Sequence, residues 1–266
     1  PGLTAGERGA LQELERGAEP AGGEEPGLFV KCFGPFRVLL PDGQELHWRT
    51  RKTQELFAYL FHLEGAWVDR EKLMDMLWPQ SPAAKATSLL HTSLYNIRKS
   101  LAPYGLEGII LREKKRYRLD LERVRSDREA VETLFRGEET DEPEGFCEGA
   151  YLEDVESVWA EDRRTWYAGQ FLRYHRERAQ RWMEQEDYAR AAECLRAAIR
   201  QEPYDEELAC QLLRCYGALG EVKSAMSLYN RLKETLKEDL GAEPGEEVTR
   251  VYQECLLRRL GSGRSS

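Results

Sequence analysis

At 266 residues the chain exceeds one ordinary domain, so two domains joined by a linker are expected. Its 41% hydrophobic and 33% charged content suits a globular fold with a highly charged surface, and no apolar run reaches the roughly 20 residues that span a bilayer. The formal charge of −9 argues against a polyanionic partner only until its distribution is seen: Leu28 to Asp120 holds 15 Lys and Arg against 10 Asp and Glu, the remainder 24 against 38. A basic module that meets a polyanion, joined to an acidic module with another task, is implied.

Cys32, Cys147, Cys194, Cys210, Cys215 and Cys255 form no CxxC pair, and His47, His62, His91 and His175 lack zinc or triad spacing. Reduced cysteines in a cytoplasmic protein, without metal or cofactor, are expected. There is no P-loop, GxGxxG or GxSxG, so an enzyme is not expected. The first residue is Pro and no signal-peptide pattern follows it, which suggests a natural extension upstream.

Pro1 to Gly27 is rich in Gly, Glu, Ala and Pro and reads as a flexible linker. Leu28 to Phe33, Phe36 to Leu40 and Glu45 to Trp48 read as three short strands separated by Gly34-Pro35 and Pro41-Asp42-Gly43-Gln44. Thr50 caps a helix with Leu56, Phe57, Tyr59, Leu60 and Leu63 inward, and Gly65 ends it. Asp69 caps a second helix with Leu73, Met76 and Leu77 inward, broken by Trp78-Pro79-Gln80-Ser81-Pro82.

The third helix, Pro82 to Leu101, organises the basic half. Leu90, Leu94, Ile97 and Leu101 share one face, and the opposite face carries Lys85, Ser88, Thr92, Tyr95, Asn96 and Lys99 with no acid. An idle surface helix usually mixes both charge signs; this set can donate to phosphates and touch base edges. Ser88, Thr92, Tyr95 and Asn96 are expected at base edges, and Lys85, Arg98 and Lys99 at phosphates. His91 borders this face as a groove contact or a bystander. Ile109 to Leu111 and Tyr117 to Leu121 then read as a hairpin with the basic tip Arg112-Glu113-Lys114-Lys115-Arg116. Strands, three helices and a cationic hairpin are the order of a winged helix-turn-helix, with the third helix in the major groove of double-stranded DNA and the wing on the backbone or in the minor groove.

Arg51-Lys52 and its helix, Val68 to Leu73 with Leu77-Trp78, and Leu94-Tyr95-Asn96-Ile97-Arg98-Lys99-Ser100-Leu101 resemble the OmpR/PhoB-type winged helix of SARP regulators, the Streptomyces antibiotic regulatory proteins. The resemblance implies DNA-facing roles for Arg98 and Lys99, base-facing roles for Ser88 and Thr92, and a place for Trp78 at the turn near the backbone. It departs at Asn96, where Arg is common, and at Arg116, where Gly usually precedes the wing tyrosine, here Tyr117.

Arg125 to Phe135 reads as a short helix, Gly137 to Gly149 as an acidic turn-rich stretch, and the rest as helical. A 34-residue period aligns Trp182 with Tyr216, Ala191 with Ala225 and Leu195 with Tyr229, as in tetratricopeptide (TPR) repeats. Flanking helices are expected over Glu156 to Glu184 and Glu246 to Arg258. Trp166, Trp182, Tyr216 and Tyr229 sit at core spacing. Trp159 to Arg164, Glu202 to Glu207 and Asp239-Leu240-Gly241-Ala242-Glu243-Pro244-Gly245 resemble the bacterial transcriptional activator domain that follows the winged helix in SARP-type proteins.

The expected architecture is mainly α with a small β component: linker 1–27, winged helix 28–121, TPR-like domain 122–258 and a disordered tail 259–266. A fragment ending near Glu122 would then bind DNA alone. The resemblance further implies a transcription activator whose repeat half meets RNA polymerase or a second protomer, and an upstream phosphoacceptor receiver domain of the two-component kind. The competing reading is a repeat-based adaptor whose winged helix holds protein.

Overall fold

The computed structural model describes residues 27–137 and 149–262. The expected linker over 1–26, most of the acidic stretch with Cys147, and residues 263–266 of the expected tail lie outside them. The described residues fall into two compact units that divide between Tyr167 and Ala168.

In the first unit, β1 (Leu28–Lys31) lies between β2 (Arg37–Leu39), antiparallel, and β6 (Val124–Ser126), parallel. The third strand expected over Glu45 to Trp48 shrinks to one bridge, Leu39 to Glu45, because the Leu40–Gln44 turn closes on itself and only Leu46 then reaches back to Val38. Thr50 caps α1 (Arg51–His62) by accepting from the Thr53 amide. Its apolar run Leu56 to Phe61 is buried throughout. The chain turns at Glu64 and Gly65, both with positive φ, into β3 (Val68–Asp69) and α2 (Arg70–Leu77). Met74, not Met76, joins Leu73 and Leu77 in the core.

The third helix, α3 (Ala83–Leu101), packs on α1 and α2 through Leu90, Leu94, Ile97 and Leu101, each at most 3% exposed. Truncating such a leucine to Ala removes contacts worth about 2–5 kcal/mol. Strands β4 (Ile110–Glu113) and β5 (Arg116–Leu119) form the hairpin, and β3 pairs with β5 to complete a second sheet. A winged helix-turn-helix is thus assembled.

It does not end at residue 121. After β6, α4 (Asp127–Phe135) begins with a buried carboxylate that accepts from the Cys32 and Phe33 amides and from the Cys32 thiol, groups that β1 leaves unpaired where it ends. Burial lifts the Asp127 acid above its ordinary range.

Residues 149–164 then cross the same end of the sheet as a strap. Leu152 donates to the Cys32 carbonyl at 2.7 Å, Gly34 to the Ala150 carbonyl at 3.0 Å, and Phe36 to Asp154 Oδ1 at 2.7 Å. A Cβ on Gly149 would sit 2.4 Å from the Gly34 Cα, and Gly34 itself has φ +87°, so both positions require glycine. Arg164 donates to the strap carbonyls of Tyr151, Leu152 and Val155. The expected 121/122 boundary therefore falls inside one cooperative core, because β6, Asp127 and the strap satisfy backbone groups of β1.

Trp159 of the strap packs on Tyr59 and His62, ring centroids 4.9 Å from each. Burial, with the neighbouring Arg163 charge, pushes the His62 imidazole down to about 4, while Glu64 acts in the opposite direction.

Helix α5 (Glu161–Glu184) starts later than Glu156 because Val158–Ala160 forms a 3₁₀ turn. In the second unit α6 (Tyr188–Gln201), α7 (Glu206–Leu219), α8 (Val222–Leu240) and α9 (Glu246–Ser262) follow in repeat fashion, the last running past Arg258 into the stretch expected as tail. Ala191 and Ala225 are fully buried at equivalent crossings, Leu195 and Tyr216 are core, and Trp182 packs against them. Tyr229 stacks on Tyr252 at 4.2 Å. Trp166, in the first unit, is 51% exposed and leaves the list of core aromatics.

Two outcomes are expected. Since the folded imidazole of His62 titrates below its unfolded value near 6.5, the unfolded chain takes up the proton first, and stability falls as pH drops from 6.5 towards 4; His62→Gln should flatten that part of a urea-midpoint profile. A fragment ending at Glu122 should lose the sharp urea transition that a fragment ending at Glu184 retains.

Candidate nucleic-acid interface

Lys85, Ser88, His91, Thr92, Tyr95 and Lys99 form one exposed stripe along α3, with Tyr95 61% exposed. Ser88 donates its hydroxyl to the Ala84 carbonyl and Thr92 to the Ser88 carbonyl, 2.9 Å for the latter. Their outward lone pairs then accept, which suits exocyclic amino groups of adenine or cytosine.

The helix starts at Pro82 without a side-chain cap. The amides of Ala83, Ala84 and Lys85 therefore point outward at the positive helix end, beside the Lys85 ammonium. Residue-type patterning at Lys85 alone had not shown this contribution from the backbone. Trp78, half-buried, closes α2 just before this turn.

Asn96 is a correction. It is 9% exposed and lies with Ser93 on the flank of the buried stripe, so it is not a base-edge contact. The apolar stripe is wider than its three leucines and one isoleucine suggest, and polar residues at its margin look the same on a helical wheel whichever side they fall.

Arg98 is also committed inside the protein: half-buried, it donates from Nη2 to the Ile110 carbonyl at 3.3 Å, tying α3 to β4. At the wing, Arg116 pairs with Glu113 at 2.8 Å and lies over Trp67, which Arg118 covers as well. Period-2 alternation places Arg116 and Arg118 on one sheet face. Trp67 and Arg118 were not anticipated; the signal was an isolated Trp just before a strand that pairs with the wing. Arg112 donates to the Lys114 carbonyl and lies over Tyr117.

Lys114 takes φ +54° and lets the turn close across Glu113 and Arg116, the role that a glycine before Tyr117 would have served. Lys85, Lys99, Lys114 and Lys115 are exposed and form no close ion pair among the described residues, although the Lys115 charge reaches Glu71.

A winged helix-turn-helix followed by a helical repeat unit is the architecture of a class of transcriptional regulator. Residues 115–256 match the family model of the bacterial transcriptional activator domain, and the chain belongs to that family as a SARP-type transcriptional regulator.

It is 27% identical over 250 residues to the transcriptional regulatory protein MoaR1 of Mycobacterium tuberculosis, covering 86% of this chain and 78% of that protein. It is 25% identical over 252 residues to the transcriptional regulatory protein EmbR of the same species, covering 88% of this chain and 64% of that protein. A solved structure of M. tuberculosis EmbR in complex with a low-affinity phosphopeptide shares the fold at a TM-score of 0.60 and 22% identity, over 88% of this chain and 66% of that one.

Thr92→Val should change preference at one base position by about 1–3 kcal/mol, whereas Lys99→Ala should weaken all sites alike. A site-library selection measures both, and a uniform loss with Thr92→Val would contradict the assigned roles.

Proposed function

We propose that this regulator binds double-stranded DNA sequence-specifically, with α3 in the major groove and the wing lysines on the backbone or minor groove. The observation that supports it is the continuous exposed stripe of Lys85, Ser88, His91, Thr92, Tyr95 and Lys99, free of acids along 19 residues of helix. Each phosphate neutralised by a lysine releases condensed counterions, so affinity falls steeply with salt.

The second unit is close to neutral, with 17 Asp and Glu against 16 Lys and Arg, and lacks the cationic excess of the winged helix, while stacked helix pairs offer surfaces for protein. RNA polymerase or a second protomer is the partner this reading assigns to it, and activation in the cytoplasm the outcome. The adaptor alternative, in which the winged helix holds protein, lacks that salt signature.

Replacing Lys114 and Lys115 by Ala should lower the slope of log affinity against log salt by up to about 0.9 per lost contact. Arg116→Ala should change it much less, because Glu113 already neutralises that guanidinium. Binding to operator fragments that ignores salt would favour the adaptor.

A further inference from the structure

In the second unit the last turn of α6, the start of α7 and the middle of α8 enclose a pocket of about 200 Å³. Its floor is apolar: Ile199, Leu228 and Leu232, each 5–6% exposed, belong to the repeat core. Its rim is cationic, formed by Arg200 and Arg231. Arg176, Arg190, Arg214 and Arg250 are all paired with carboxylates, but neither rim arginine meets one among the described residues.

The acid that lines the pocket, Asp205, is already engaged: Oδ1 accepts from the Leu208 amide at 3.0 Å, capping α7, and Oδ2 takes the Arg176 guanidinium. Two guanidinium groups that meet no carboxylate among the described residues thus stand at the rim of an apolar floor.

We propose that this pocket binds a carboxylate carried on a single apolar body, with the carboxylate between Arg200 and Arg231 and the body on Ile199, Leu228 and Leu232. Guanidinium and carboxylate match as paired donors and acceptors. A volume below the roughly 300–1,000 Å³ of sites for larger ligands suits one branched or aromatic group. A small free acid and the C-terminal residue of a polypeptide share this chemistry. The site is independent of the DNA reading.

The test uses the full chain and isothermal titration with N-acetyl-leucine, N-acetyl-leucinamide and a short peptide ending in Leu with a free carboxylate. The acid and the peptide should bind, the amide about tenfold or more weaker. Arg200→Gln and Arg231→Gln, both at exposed positions, should each weaken the acid by about tenfold while leaving the melting temperature of the unliganded protein unchanged. Tighter binding of the peptide than of the free acid assigns the site to a polypeptide terminus; equal binding assigns it to a small acid. No binding of either at millimolar concentration, equal affinity for acid and amide, or indifference to both arginine variants would overturn the proposal.

Discussion

Where β1 ends, Cys32 and Phe33 leave amides and carbonyls that no neighbouring strand takes up, and they are buried. Orphaned buried backbone groups cost about 1–3 kcal/mol each, so the fold of the first unit depends on finding them partners. Asp127 accepts from the two amides, and the strap residue Leu152 donates to the Cys32 carbonyl. The strap is itself irregular backbone in a buried place, and Arg164 supplies what it lacks by donating to three of its carbonyls. One carboxylate on the first turn of α4 thus holds the end of a strand 95 residues earlier in sequence, and one guanidinium on the first turn of α5 holds the strap just before it. The winged helix is completed by residues that composition assigned to the other half of the chain.

Local pattern carried the helices well. The spacing of Leu90, Leu94, Ile97 and Leu101 named the buried face of α3, and the 34-residue period found the alanine crossings at Ala191 and Ala225. What it missed shares one cause. The 121/122 boundary, the lost third strand and the strap depend on backbone hydrogen bonds between distant segments, and those leave no periodic mark on residue type. A buried Asp at a helix start reads from sequence as an ordinary N-terminal acid, and Asp127 gave no sign of its distant partners.

The candidate interface divides in the same way. Exposed lysines at Lys85, Lys99, Lys114 and Lys115 stand where charge patterning put them. Asn96 and Arg98 lie at the edge of the helix face, where a rotation of one residue, about 100°, separates groove from core. For long arginines the charge count is a poor guide, since the guanidinium reaches whichever acceptor the fold brings near. Arg98 reaches a strand carbonyl and Arg116 a neighbouring glutamate.

These inward commitments bear on recognition. A wing and a helix that contact one duplex together must keep a fixed spacing, and freezing that spacing during binding would cost conformational entropy. Arg98 spans α3 and β4, Glu113 with Arg116 closes the wing turn, and Trp67 holds Arg116 and Arg118 against the sheet. Arginines spent in this way add little to the field a duplex would meet, yet they hold the lysines that do in one arrangement before any encounter. On the proposed DNA reading, the net charge of the half that carries them overstates its capacity for phosphate, and fewer contacts would suffice where their geometry is already set.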